Sequence, residues 1–163
     1  MNDNATSEIT LSSASEHHEQ TLKLIESANR EICIHSHDLT NRIYNHPDLA
    51  SALSKFVTAN SAKRSIKIVV NDVNAIISSD HKMLDVCRRL SSNINIRKIS
   101  TEHENHTESF LLIDGCSYIF RLDYTLFDGV LAHNPKQAKA LLNLFDEFWS
   151  HSEPDSNLNR LYI

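Results

Sequence analysis

The stretch Thr107-Glu108-Ser109-Phe110-Leu111-Leu112-Ile113-Asp114-Gly115-Cys116-Ser117-Tyr118-Ile119-Phe120-Arg121-Leu122 decides the fold. Two largely apolar runs, Ser109 to Ile113 and Cys116 to Leu122, flank Asp114-Gly115. Asp-Gly between β-prone runs predicts a tight hairpin, because both residues tolerate a positive φ. Upstream, Glu31 to Ser36 and Ser65 to Val70 are short apolar runs, the pattern of strands buried on both faces. Asn93 to Ile99 alternates, with Ile94 and Ile96 opposed to Asn95 and Arg97, and predicts a half-exposed strand.

Helices fit between these strands. Thr21, Leu24, Ile25 and Ala28 fall on one helical face and predict a helix over 15–29, with Ser15 as N-cap. Pro47 opens a second helix, to Ala59, and Ser79 or Asp80 caps a third over 81–90. Asn134-Pro135-Lys136-Gln137 has the cap chemistry of a last helix, whose wide apolar face carries Phe145, Phe148 and Trp149. The order α β α β α β β β α predicts an α/β fold with a mixed, mainly parallel sheet flanked by helices. Residues 1–14 are polar and aperiodic and are expected to be a disordered tail, with 15–163 forming a single domain.

Composition removes whole classes of chemistry. The 163 residues contain two glycines, Gly115 and Gly129. Neither a G-x-G-x-x-G turn nor a G-x-x-x-x-G-K-[ST] loop can be built from them, so Rossmann and P-loop phosphate sites are excluded. Net charge is −5, but residues 61–98 carry 8 basic and 3 acidic side chains between acidic flanks. Lys63, Arg64, Lys67, Arg88, Arg89, Arg97 and Lys98 are the cations a polyanion would have to meet. Overall acidity argues against nucleic acid as a partner. Cys33, Cys87 and Cys116 are odd in number, far apart and in apolar contexts, which reads as buried thiols in a reducing cytoplasm. A polar start without a secretory signal, and no apolar run near the ~18 residues of a span, support the same expectation of a cytoplasmic protein without a membrane span.

The segment Thr107 to Gly115 resembles the H-x-K-x-x-x-x-D-G signature of the phospholipase D superfamily, and the element order resembles one half of that fold. The resemblance implies a histidine that attacks a phosphodiester, a lysine that neutralises phosphate charge, and two motif copies meeting across a pseudo-twofold interface. Anchored on Asp114-Gly115, Thr107 stands at the histidine position and Ser109 at the lysine position. Anchored on His106, Glu108 takes the lysine position and Ile113 the aspartate. Three further stretches, Ser27 to Ile32, His81 to Ser92 and Phe145 to Asp155, resemble a single-domain bacterial family of unassigned function. Relatives of that kind stand alone or beside acetyltransferase domains. The resemblance therefore implies a degenerate, non-catalytic module that self-associates as a homodimer, with an acetyltransferase as a further candidate partner.

Ligands of open α/β sheets sit beyond the carboxyl ends of the strands. There the sequence offers His37 and Asp38 after one strand, Asp72 after the next, and Arg121 at the end of the hairpin, where it could fork onto a phosphate or carboxylate. With Asp114 of the signature, these are the candidate ligand-binding residues for a small anion. His106 and His37 are the candidate nucleophiles of a residual phosphodiesterase or nuclease. An accessory protein-interaction role without a small ligand is the third reading. His35 and His37, with Asp38 or His106, could ligate a metal, and His81 with Arg88 could hold a phosphate on one helix face. Ten histidines make chance pairs common. No metal and no cofactor are expected, and His17-His18 is expected to face solvent.

Overall fold

The structure is a computed structural model that describes residues 7–59 and 64–159. Seven strands and seven helices follow one another: β1 (Ser7–Leu11), α1 (Ala14–Glu26), β2 (Glu31–Ser36), α2 (Asn41–Tyr44), α3 (Pro47–Thr58), β3 (Ser65–Val70), α4 (Val73–Ser78), α5 (Lys82–Arg89), β4 (Ile94–Lys98), β5 (Ser109–Ile113), β6 (Ser117–Arg121), β7 (Gly129–His133), α6 (Pro135–His151) and α7 (Ser156–Asn159). The strands form one sheet in the order β1-β7-β6-β5-β2-β3-β4. The mixed α/β class is as expected, but its parallel part is confined to β2, β3 and β4. From β2 outward through β5, β6, β7 and β1 every pairing is antiparallel.

Two strands escaped the sequence pattern. β1 lies inside the stretch expected to be a disordered tail, and it pairs with β7 from Ser7↔His133 to Leu11↔Gly129. Four of its five residues are exposed, so it carries no alternation to read. Residues 1–6 of the expected tail lie outside the described residues. Ser13, not Ser15, caps α1, accepting from the Glu16 N–H at 3.1 Å.

Strand alternation splits the core in two. Ile32, Ile34, Ile66, Ile68, Leu111 and Ile113 face α1 to α5 and α7. Cys33, Val69, Phe110 and Leu112 face α6, where Phe145 and Phe148 are fully buried. The apolar face of the last helix is thus core, and Trp149 lies under the Lys67 and Arg97 cations, 5.6 and 5.2 Å from its ring centre. Residues beyond α6 return to blunt the β4 edge, where Lys98 and Glu153 exchange two backbone hydrogen bonds of 2.9 Å.

The hairpin turn forms as expected. Asp114 and Gly115 have φ of 52° and 65°, and the Ile113 carbonyl accepts from the Cys116 N–H at 3.0 Å. These are the features of a type I′ turn. Gly129 is required for a different reason. A Cβ there would lie 2.7 Å from the Phe120 carbonyl oxygen and 2.8 Å from Cε1 of His17, so only a hydrogen lets α1 cross this point. His17 is accordingly buried, not solvent-facing, and its Nε2 donates to the Phe127 carbonyl at 2.6 Å. All three thiols are free, with Cys33 and Cys87 buried. No helix among the described residues is long and apolar enough to cross a membrane.

Candidate functional site

Because β2 and β3 run opposite to β5, the carboxyl ends of the first two meet the start of the third, and β6 ends beside it. One end of the sheet therefore gathers His35, His37, Asn71, Ser109 and Arg121. The chain is turned sharply here. Leu39, fully buried, has a φ of 49°, and its N–H donates to Ser36 Oγ at 3.0 Å. The His37 carbonyl accepts from the N–H groups of Asn71 and Asp72, at 3.0 and 2.7 Å, which locks the two strand-end loops together. The Asn71 amide donates to the Glu104 carbonyl at 3.0 Å and draws the 99–108 loop over the sheet end.

Two aromatic contacts organise the result. His37 stacks on Tyr124 at 3.8 Å with nearly parallel rings, and its Nδ1 is buried without a partner. Phe148 of α6 touches three imidazoles, with ring centres 4.7 Å from His35, 5.3 Å from His103 and 4.8 Å from His106. His106 Nδ1 meets Glu108 Oε2 at 3.1 Å. His35 is the deepest of these rings. Neither of its nitrogens makes a hydrogen bond of good geometry, although Asn71 and Glu108 are near enough to favour its protonated form. Burial outweighs them and pushes its pKa down to about 4. A cleft of about 380 Å³ opens beside this end, lined among others by His37, Asn71, Asp72, Lys98, Glu104 and Asp155.

The sequence-derived residues are placed unequally. His37 and Asp72 line the cleft, but Asp72 Oδ1 also caps α4 by accepting from the Ala75 N–H at 3.0 Å. Asp38 accepts from the Thr40 hydroxyl at 3.2 Å. Arg121 is buried and occupied: Nε donates to the Leu126 carbonyl at 2.9 Å, Nη2 to the Tyr124 carbonyl, and the guanidinium lies 5.3 Å from the Phe127 ring centre. It shapes the 122–128 loop, and burial holds its pKa below the usual arginine value. Asp114 is at the opposite end of the sheet. Its carboxylate accepts from the N–H groups of Asn29, Arg30 and Glu31 at 2.8–2.9 Å, clasping the start of β2.

The hydroxyls at the histidine and lysine positions of the signature are also spent on the backbone. Thr107 Oγ1 donates to the Leu122 carbonyl at 3.1 Å, and Ser109 Oγ donates to the His35 carbonyl at 3.2 Å. The two metal-ligand candidates at the end of β2 make different contacts, with His35 against Phe148 and His37 on Tyr124. The phosphate face expected at His81 and Arg88 is not formed. His81 is buried as the N-cap of α5, accepting from the Met83 N–H and donating to the Leu39 carbonyl. Arg88 donates to the carbonyls of Leu158 and Asn157. Arg64 lies over the Phe56 ring, and Lys67 and Arg97 both lie over the Trp149 ring; Lys63 lies outside the described residues. Sequence reasoning missed Tyr124 and His103, and named Glu108 only as the residue at the lysine position of the signature anchored on His106. The spacing His103-x-x-His106-x-Glu108 inside a polar loop was the signal available.

Comparison with solved structures places this geometry among known folds. The archaeal chromatin protein TrmBL2, described with a novel mode of DNA binding, superposes with a TM-score of 0.67 at 14% identity, over 95% of this chain and 57% of its own. The chain thus spans little more than half of that relative. Nuc from Salmonella typhimurium, a phospholipase D family member, superposes at 0.62 with 16% identity, over 91% of this chain and 97% of its own. NucT from Helicobacter pylori gives 0.65 with 8% identity, over 92% and 99%. At these identities the likeness is one of fold, and the fold is that of phospholipase D-like proteins. No curated protein matches the sequence. A sequence family does: residues 13–161 match the one described as a domain of unknown function, DUF7931, and the chain belongs to that family.

Proposed function

We propose that this chain is a phospholipase D-like module that works by self-association and not by covalent phosphodiester chemistry. The observation that carries the reading is the fate of Thr107 and Ser109. They stand where the superfamily signature has histidine and lysine, and both hydroxyls donate to backbone carbonyls. Neither offers an imidazole nucleophile or an ammonium for a developing phosphate charge. Self-association draws support from the same end of the sheet. Leu122 and Leu126 are 70% and 51% exposed on the loop beside His37 and Tyr124. Exposed apolar side chains around a cleft mark surfaces that take partners, and the superfamily resemblance implies two motif copies meeting across an interface. Anion binding is less well supported, since Arg121 is committed internally and Asp72, Glu104 and Asp155 share the cleft with Lys98. Net charge −5 gives no electrostatic help for nucleic acid.

One observation favours a second reading, residual hydrolysis. The His106–Glu108 contact of 3.1 Å is a histidine–carboxylate pair of the kind that serves general-base chemistry. Light scattering behind size exclusion, combined with hydrolysis of bis-p-nitrophenyl phosphate, separates the two. Self-association predicts twice the 18.5 kDa chain mass, a monomeric Leu122→Glu/Leu126→Glu variant, and no turnover. A monomeric wild type overturns the self-association. Turnover abolished by His106→Ala overturns the non-catalytic reading.

A further inference from the structure

Away from the strand-end cleft, the helical face carries a second concentration of donors. His18 of α1, His46 at the N-cap of α3 and Asp48 in its first turn converge where the two helices cross. One ring nitrogen of each histidine and one carboxylate oxygen lie within 4.8 Å of one another. The imidazole centres are 3.8 Å apart, with the rings tilted by 33°.

The hydrogen bonds around the cluster fix its proton arrangement. His18 Nδ1 lies 2.8 Å from the Ile43 carbonyl, and His46 Nε2 lies 2.9 Å from the Arg42 carbonyl. A carbonyl only accepts, so both of these nitrogens carry hydrogen. In its neutral ring His46 Nδ1 holds the lone pair, whereas His18 Nε2 shares a proton with the Asp48 carboxylate, a proton that a bound ion would displace. Nitrogen tied to a backbone carbonyl on one side and free on the other is the outer arrangement of metal-bound histidines, where the carbonyl sets tautomer and ring orientation. His18 Nε2 lies 3.0 Å from Asp48 Oδ2. Two donors each about 2.1 Å from one ion and at right angles stand about 3.0 Å apart, whereas tetrahedral donors stand about 3.4 Å apart. Asp48, half exposed, also lines a groove of about 370 Å³ between α1 and α3, from which water can reach its carboxylate.

We propose that His18, His46 and Asp48 bind a divalent transition-metal ion, in five- or six-coordinate geometry completed from the groove. Two imidazoles and a carboxylate suit Zn²⁺, Co²⁺ or Ni²⁺ better than Mg²⁺ or Ca²⁺. The ion ties α1 to the start of α3. A second set, His103, Glu147 and His151, serves as the internal comparison. There the Glu147 and His151 side chains are 55% and 43% exposed, against 17% for His18.

The test uses tag-free, chelator-treated full-length protein titrated with Ni²⁺ and Zn²⁺ by calorimetry, with Co²⁺ absorption reporting geometry. Wild type is expected to bind at this site with a raised Tm and the weak visible bands of five- or six-coordinate Co²⁺. His46→Ala and Asp48→Asn should each weaken that binding more than about tenfold, while His151→Ala leaves it unchanged. Asp48 is half exposed, so its variant tests the site should His46→Ala misfold. Absence of saturable binding, binding undiminished in Asp48→Asn, or binding removed by His151→Ala overturns the proposal.

Discussion

Asp114 and His35 show at the residue scale how much one side chain can decide. The Asp114 carboxylate serves three consecutive amides of the 29–31 turn while its own backbone sits at a φ of 52°. Charge-assisted hydrogen bonds of this kind contribute about 1–3 kcal/mol each when shielded, and less where water reaches them. Asp114→Ala is expected to lower stability by about 2 kcal/mol, and Asp114→Asn by about half of that, because Asn accepts through one oxygen and tolerates the left-handed region. Urea unfolding checks both; an Ala variant as stable as wild type would show the clasp to be dispensable. His35 predicts a pH dependence. Burial, only partly offset by Glu108, puts its folded pKa at about 4, against about 6.5 in the unfolded chain. Between those values the unfolded ring holds a proton that the folded ring lacks, so acidification through this window favours unfolding. The gap corresponds to about 3 kcal/mol, complete below about pH 4 and absent above about pH 6.5. His17 and His81, also lowered by burial, act in the same direction. His35→Leu should lose about 2–3 kcal/mol less than wild type between pH 7 and pH 4, and equal losses would clear His35 of the effect.

Arg121 sets the conformation of a whole connecting element. Residues 122–128 present few packed side chains, yet the segment is held by the Arg121 guanidinium, by Arg42 on the Phe127 ring at 5.1 Å, and by His17 on the Phe127 carbonyl. Lysine keeps the charge but cannot donate in a fork to two carbonyls. Arg121→Lys is therefore expected to preserve the sheet and to raise amide exchange across 124–128 at least about tenfold; unchanged protection would mean that the aromatic contacts suffice. Elements also mark the limit of what the sequence makes legible. The 109–122 hairpin, the buried runs of β2 and β3 and the Asn134 cap of α6 could be read, because each rests on a local period or a local turn. β1 and β7 could not, since Ser7–Leu11 is exposed along most of its length and is a strand only through its partner. The strand-end gathering of His37 and Asn71 followed from topology. The commitments of Arg121 and Asp114 did not, because both depend on backbone groups supplied by distant or irregular segments.

At the scale of the whole molecule, one sheet separates two faces of unequal build. Among the described residues α6 is the one helix over one face, and its Phe148 is both a core residue and the support under three imidazoles. Phe148→Ala should cost about 3–5 kcal/mol by core truncation, a loss too large to report on the site separately. The outermost pairing, β1 on β7, joins residues roughly 120 positions apart, a separation that makes for slow, late closure. During synthesis at about 5–20 residues per second, Ser7–Leu11 leaves the ribosome many seconds before Gly129–His133 exists to receive it. The nascent chain must carry Ser7–Leu11 unpaired until Gly129–His133 emerges. Translation speed over the stretch between these two strands, as well as the amino-acid sequence, then sets how long that edge stays open to other chains.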